Sequence, residues 1–169
     1  MKNRRLFGFG LLIALVVLGV DQATKAYFRD ILLGTHPRVI EVTPFLNWVP
    51  VWNYGVSFGM FNNTEHALRW VLVGVAAGIS TLVLIWLGDA QRRLGALGLG
   101  MILGGAIGNI IDRIIFGAVF DFIDVYWQDW HWPAFNVADA GIVIGVGLFI
   151  LEQMRAGRHS HASQHEGVS

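Results

Sequence analysis

The sequence predicts an all-α membrane protein of four transmembrane helices with a small β-rich element at one membrane surface. Of 169 residues, 54% are hydrophobic and 14% charged, against about 25% charged in an ordinary soluble domain. Such a chain cannot wet the surface of a globule of this size, so lipid is the expected solvent. Four apolar stretches bracketed by charge are long enough to cross a bilayer, which takes roughly 20 helical residues. Between the first two stretches, some forty residues carry β-branched and aromatic runs instead of a helical period.

The first span is expected over about 6–26. It is apolar from Leu6 to Val20 and reaches crossing length only by continuing through Asp21 to Ala26. The preceding Met1-Lys-Asn-Arg-Arg5 gives it the outline of a secretory signal, but no small-x-small cleavage site lies between Gly19 and Ala26, so the span is expected to be retained. In the segment 27–66, Val39–Pro44 and Phe45–Val49 read as short strands broken by Pro44 and Pro50. The second and third spans are expected over 67–88 and 94–111, both free of internal acids, and the fourth over 133–151, with Asp139 a third of the way along. Glycines at 100, 104, 105 and 108, and again at 141, 145 and 147, predict close packing of the third and fourth spans. Residues 1–154 form one domain. From 155 to 169 the chain is rich in Arg, Gly, His and Ser without an apolar period, which predicts a disordered tail.

With an even number of spans both termini share a side. Seven Lys and Arg residues flank the spans there (Lys2, Arg4, Arg5, Arg92, Arg93, Arg155, Arg158) against five opposite (Lys25, Arg29, Arg38, Arg69, Arg113), which places the termini in the cytoplasm. Six of the seven tryptophans, all but Trp86, fall near the other interface, as an aromatic belt does. Twelve basic residues balance twelve acidic ones, which removes the field a nucleic-acid binder needs. With no cysteine, disulfides, thiolate metal sites and thiol catalysis are excluded. His36, His66 and His131 are scattered, and His159, His161 and His165 stand in the tail, so neither a metal nor a cofactor is expected.

Polar and ionisable residues at membrane depth mark functional sites by default, and here they gather at the end of the bundle away from the termini: Asp21, Asn109, Asp112, Arg113, Asp121, Asp124, Asn136 and Asp139, with Asn53 in the loop before the second span. The turn residues Asp129–Pro133 can return the fourth span beside the end of the third, bringing Asp121 and Asp139 face to face. Two carboxylates in a partly dry site share a proton. The ionised one can then take a proton from water while the protonated one activates a carbonyl, which is amide hydrolysis without metal or covalent intermediate. Against this stand a solvated interfacial acid for Asp121 and an Arg113 ion pair for Asp139. Asp112 is expected to cap or pair locally, and Asp124, three residues after Asp121, to point to the opposite side if that stretch is extended, and to be solvated.

Two other chemistries compete. Gly55-Val-Ser57-Phe-Gly59 matches the G-x-S-x-G pattern of a serine nucleophile, but without the strand-to-helix elbow that gives the pattern meaning. A proton-coupled carrier also uses intramembrane acids, but needs them accessible from both faces.

Five ordered blocks carry a resemblance: Asp21-Gln-Ala-Thr-Lys25, Asn53-Tyr-Gly-Val-Ser-Phe58, Gly104-Gly-Ala-Ile-Gly-Asn109-Ile-Ile-Asp112-Arg113, Val119-Phe-Asp121-Phe122 and Pro133-Ala-Phe-Asn136-Val-Ala-Asp139. In order and spacing the chain resembles the bacterial lipoprotein signal peptidases, or type II signal peptidases. The resemblance implies an intramembrane aspartyl endopeptidase of the bacterial inner membrane. Such an enzyme cuts diacylglyceryl-modified prolipoproteins before the lipid-modified lipobox cysteine, with its active site toward the periplasm and the β-rich element periplasmic. It implies a catalytic dyad of Asp121 and Asp139, substrate-holding and dyad-orienting roles for Asn53, Asn109, Arg113 and Asn136, and a structural role for Asp21 and Lys25. The expected partners are prolipoproteins and membrane lipid, and the expected state is a monomer.

Overall fold

Each apolar stretch forms a helix, and all four helices are longer than the apolar run that announces them. The computed structural model describes residues 3–55 and 64–165, with the side chains of 3–55 and 67–155. In order the elements are α1 (Arg4–Leu33), β1 (Ile40–Thr43), β2 (Leu46–Asn53), α2 (Thr64–Gly88), α3 (Arg93–Phe116), β3 (Val119–Trp127), β4 (Trp130–His131) and α4 (Val137–His165). All four helices are long and apolar enough to cross a membrane.

Asn3 caps α1, its Oδ1 accepting from the N–H groups of Arg5 and Leu6. The helix continues to Leu33 instead of stopping near 26, because its polar stretch neutralises itself: Lys25 sits one turn after Asp21 at 2.9 Å, and Thr24 Oγ1 donates back to Val20 O and Asp21 O. Asp21 and Lys25 therefore lie within the helix. α3 runs past the expected 111 to Phe116 and ends on Gly117, a left-handed cap (φ 86°) whose N–H bonds Arg113 O. α4 begins later than expected, at Val137. Asp139 is consequently in its first turn, where the helix dipole favours a negative charge, and not a third of the way along. At its other end α4 stays helical to His165, where disorder was expected from 155. A helix already nucleated adds residues at little cost, and no proline interrupts this stretch. Residues 166–169 lie outside the described residues.

α3 is central and packs against the other three helices. Its glycines divide between two partners. Gly98 and Gly105 lie against Gly145 and Ala138 of α4, whereas Gly100 and Gly104 lie against Gly10 and Ala14 of α1. The glycine series thus serves two interfaces, one more than expected. Leu6, Ala14, Val83, Leu87, Ala96, Leu99, Ile102 and Leu103 fill the core among α1, α2 and α3.

The sheet caps one end of this bundle. Its order is β1-β2-β3-β4, all antiparallel, so the hairpin between α1 and α2 is completed by chain that follows α3. Pro50 does not end a strand. Val49 and Pro50 together oppose Phe122 between the pairs Trp48–Ile123 and Val51–Asp121, a bulge that absorbs the missing N–H. One face of β3 sends Phe120 and Phe122 into a second core with Leu32, and Phe28 of α1 stacks on Phe122 with ring centroids 4.4 Å apart.

Candidate active site

Where the bundle meets the sheet, three helices and two strands present polar side chains to one another. Asp121, on β3, is 1% exposed. Its Oδ1 accepts from Asn136 Nδ2 at 2.6 Å and its Oδ2 from Asn53 Nδ2 at 3.0 Å. The Pro50 bulge makes the second contact possible. Without it Val51 would pair with Phe120, and Asn53 would lie on the other face of the sheet from Asp121.

Asp139 and Asn136 bind each other reciprocally at the start of α4. Asn136 Oδ1 accepts Asp139 N–H at 2.9 Å, and Asp139 Oδ2 accepts Asn136 N–H at 3.3 Å, a capping box with Asp at the third helical position. The remaining oxygen, Asp139 Oδ1, accepts from Asn109 Nδ2 at 2.7 Å. A backbone bridge between Ile123 and Phe135 ties β3 to the segment that leads into α4. Asn136 thus touches both carboxylates, one through its side chain and one through its main chain.

Burial, and then the negative charge of Asp139, push the Asp121 carboxyl up to about 7, against the opposing hydrogen bonds of Asn53 and Asn136 and the charge of Lys25. A solvated interfacial acid is excluded for Asp121 by its burial. Nor does Arg113 pair with Asp139: its Nη1 donates to Asn109 O at 3.3 Å, and it stands in the field of Asp139 and Asp121 without reaching ion-pair distance of either. Asn53, Asn109 and Asn136 each commit an amide N–H to one of the two aspartates, whereas Arg113, with five N–H groups and, among the described residues, one hydrogen bond, has the most donors to spare of the four polar cleft residues. A cleft of about 320 Å³ opens beside Asp121, walled by Val51, Trp52, Asn53, Tyr54, Gly55, Pro133 and Ala134.

Beneath the site lies a second polar layer. Lys25 is fully buried, with Nζ 2.9 Å from Asp21 Oδ2, 3.0 Å from Asp112 Oδ2 and 3.1 Å from Asn109 Oδ1. Asp112 does not cap or pair locally as expected. It reaches across to α1 and also accepts Phe120 N–H at 3.1 Å, because α3 continues past it and points its side chain into the bundle. Gln22 joins this layer by donating to Asp112 Oδ1 at 3.2 Å and Gly108 O at 3.3 Å. It is a member that sequence reasoning missed, although its place between Asp21 and Lys25 marks it.

Asp124 is on the other face of β3 from Asp121, as its spacing predicts, yet it is not solvated. Asn47, its partner on β2, donates Nδ2–H at 3.1 Å, and His131 Nδ1 lies at 2.9 Å, so both neighbouring strands cover it. Ser57 lies outside the described residues, as do the side chains of His66, His159, His161 and His165.

The model of the signal peptidase (SPase) II family matches residues 13–155. A lipoprotein signal peptidase of Methylorubrum extorquens (strain PA1) is 44% identical over 151 residues, 88% of this chain and 87% of that protein. Another, from Methylobacterium radiotolerans, is 43% identical over 164 residues, 95% of each. In fold, the chain matches a bacterial membrane enzyme solved by the in meso method at 2.3 Å resolution, with a TM-score of 0.71 and 31% identity over 88% of both chains. With agreement in sequence and fold across most of its length, the chain belongs to the signal peptidase II family, membrane proteases that remove signal peptides from prolipoproteins.

Proposed function

We propose that the chain cleaves by an aspartyl mechanism, with Asp121 and Asp139 as the dyad, and that its substrates are prolipoproteins carrying a diacylglyceryl group on the lipobox cysteine. The observation that supports this is the double grip of Asn136, which holds one carboxylate by its side chain and the other by its main chain. With its carboxyl raised to about 7, Asp121 is the member that carries the proton. Asp139, receiving N–H groups on both oxygens, takes the proton from water. The resulting hydroxide adds to the scissile carbonyl carbon as Asp121 gives its proton to the carbonyl oxygen. Asp139 then passes its proton to the departing amide nitrogen, the C–N bond breaks, and Asp121 recovers its proton from the collapsing hydroxyl. Arg113 supplies donors for substrate carbonyls, and Asn53 keeps Asp121 in register with them.

The diacylglyceryl chains remain in the hydrocarbon beside the bundle while the peptide enters the cleft next to Asp121. The basic residues flanking the spans at the terminal end support a bacterial inner-membrane orientation with cytoplasmic termini and a periplasmic active site. The test is cleavage of a diacylglyceryl-modified prolipoprotein by purified protein, followed by mass. Asp121→Asn and Asp139→Asn are each expected to lose at least about 10³-fold in kcat, and the double variant to be hardly worse, since members of one catalytic unit are not additive. Substantial cleavage by either single variant, at equal abundance, would overturn the dyad.

A further inference from the structure

Lys25 stands one layer below the dyad and touches neither aspartate, yet three arms run from it to them. An ammonium has three donors and no acceptor, and here each donor has a separate acceptor: Asp21, Asp112 and Asn109. The other oxygen of Asp21 accepts Ala138 N–H at 2.9 Å, the residue immediately before Asp139. Asp112 Oδ2 accepts Phe120 N–H at 3.1 Å, the residue immediately before Asp121. Asn109 is the third arm. Because Lys25 only donates, it takes the amide oxygen and leaves Asn109 Nδ2 to face Asp139 Oδ1; a flipped amide would set N–H against ammonium and oxygen against carboxylate. One buried charge thus grips the backbone one residue ahead of each aspartate and fixes the donor on one of them.

We propose that Lys25 is the positioning residue of the dyad: by holding Asp21, Asp112 and Asn109 together it sets the spacing of Asp121 and Asp139 and the direction of the hydrogen bond onto Asp139. This rests on the aspartyl reading above, and it goes beyond a structural role for Lys25. A residue that only holds the fold together is replaceable by any arrangement that keeps the fold, whereas a positioning residue leaves a kinetic trace even in a stable protein.

Lys25→Met alone leaves two buried carboxylates without their cation and endangers the fold. Lys25→Met combined with Asp112→Asn avoids this. The local formal charge is unchanged, and the Asn oxygen can still accept Phe120 N–H, but Asn109 Oδ1 loses the nearer and charged of its two donors, Lys25 Nζ at 3.1 Å, and keeps only Asn136 Nδ2 at 3.4 Å. Lys25→Met with Asp21→Asn preserves the Ala138 contact in the same way and serves as the second variant.

Each is compared with the parent in thermal midpoint, in KM and kcat on a diacylglyceryl-modified prolipoprotein, and in the pH profile of kcat. The expected result, in at least one double variant of near-parental midpoint, is a KM within about twofold and a kcat lower by about 10²-fold, as for a reacting group displaced by about 1 Å. The charged groups facing Asp121 are Asp139 on α4, Lys25 on α1 and Arg113 on α3, and of these only Lys25 is removed. The limb governed by Asp121 is therefore expected to move to higher pH. Parental kcat and pH profile in a stable double variant would overturn the proposal, as would failure of both double variants to accumulate, which would make Lys25 a folding residue. Neither outcome touches the dyad itself, which fails separately if Asp121→Asn cleaves.

Discussion

At the scale of single residues, the site separates acids that look alike in the sequence. Asp112, Asp121, Asp124 and Asp139 fall within 28 positions of one another, and each has a different set of partners. Asp121 and Asp139 share Asn136, Asp112 belongs to the Lys25 layer, and Asp124 is enclosed by Asn47 and His131 on the far face of β3. Asp124→Asn is therefore expected to keep cleavage within about threefold of the parent. Stability should fall by about 1–2 kcal/mol, the usual loss when a buried charge-assisted hydrogen bond is weakened, seen as a lower thermal midpoint in detergent. That Asp121 and Asp139 come together, both held by Asn136, was legible in the sequence because carboxylates at membrane depth are costly enough to need a reason. The burial of Asp124 was not legible. An acid at an odd spacing along a strand is assigned to the opposite face, but what covers that face comes from β2 and β4, which are remote in the chain or separated by a turn.

At the scale of elements, apolar length located the helices but not their ends. α1 and α3 continue through polar residues that read as interfacial when taken singly and are neutralised by one another once the helices pack. The sequence marks β3 as a strand only weakly, because Val119–Trp127 is covered on both faces over most of its length, which erases the alternation that marks a half-buried strand. The glycines of α3 were legible as packing residues, although their division between α1 and α4 was not. That division makes a sharp comparison possible. A methyl group at Gly105 meets the Ala138 carbonyl at the start of α4, where Asn136 and Asp139 are held, whereas one at Gly147 meets nothing within 4 Å. Gly105→Ala is expected to lower cleavage by at least about tenfold and the thermal midpoint with it, as overpacking costs about 1–3 kcal/mol. Gly147→Ala is expected to leave cleavage intact and to add up to about 1 kcal/mol of helix stability. Equal behaviour of the two variants would show that α3 and α4 tolerate separation.

At the scale of the whole molecule, stability and the site are coupled through protons. Asp121 has its carboxyl raised from 3.8 to about 7 in the folded protein, so the native state binds a proton more tightly than the unfolded chain does. Its contribution to stability is therefore fully present below about pH 4 and is lost as pH rises through 7. The thermal midpoint is expected to fall between pH 5 and pH 8, and Asp121→Asn, which is neutral throughout, should flatten that slope. An unchanged slope in the variant would assign the pH dependence to other groups. The placement of Asn136 and Asp139 on α4 has a consequence of another kind. A ribosome delivers Asp121 to the membrane while Asp139 is still unmade, so on the proposed dyad the nascent chain holds only half of a hydrolytic pair until its final helix inserts. The order of synthesis thus acts as a safety catch, keeping the protease inert among the unfinished membrane proteins around it until the chain is complete.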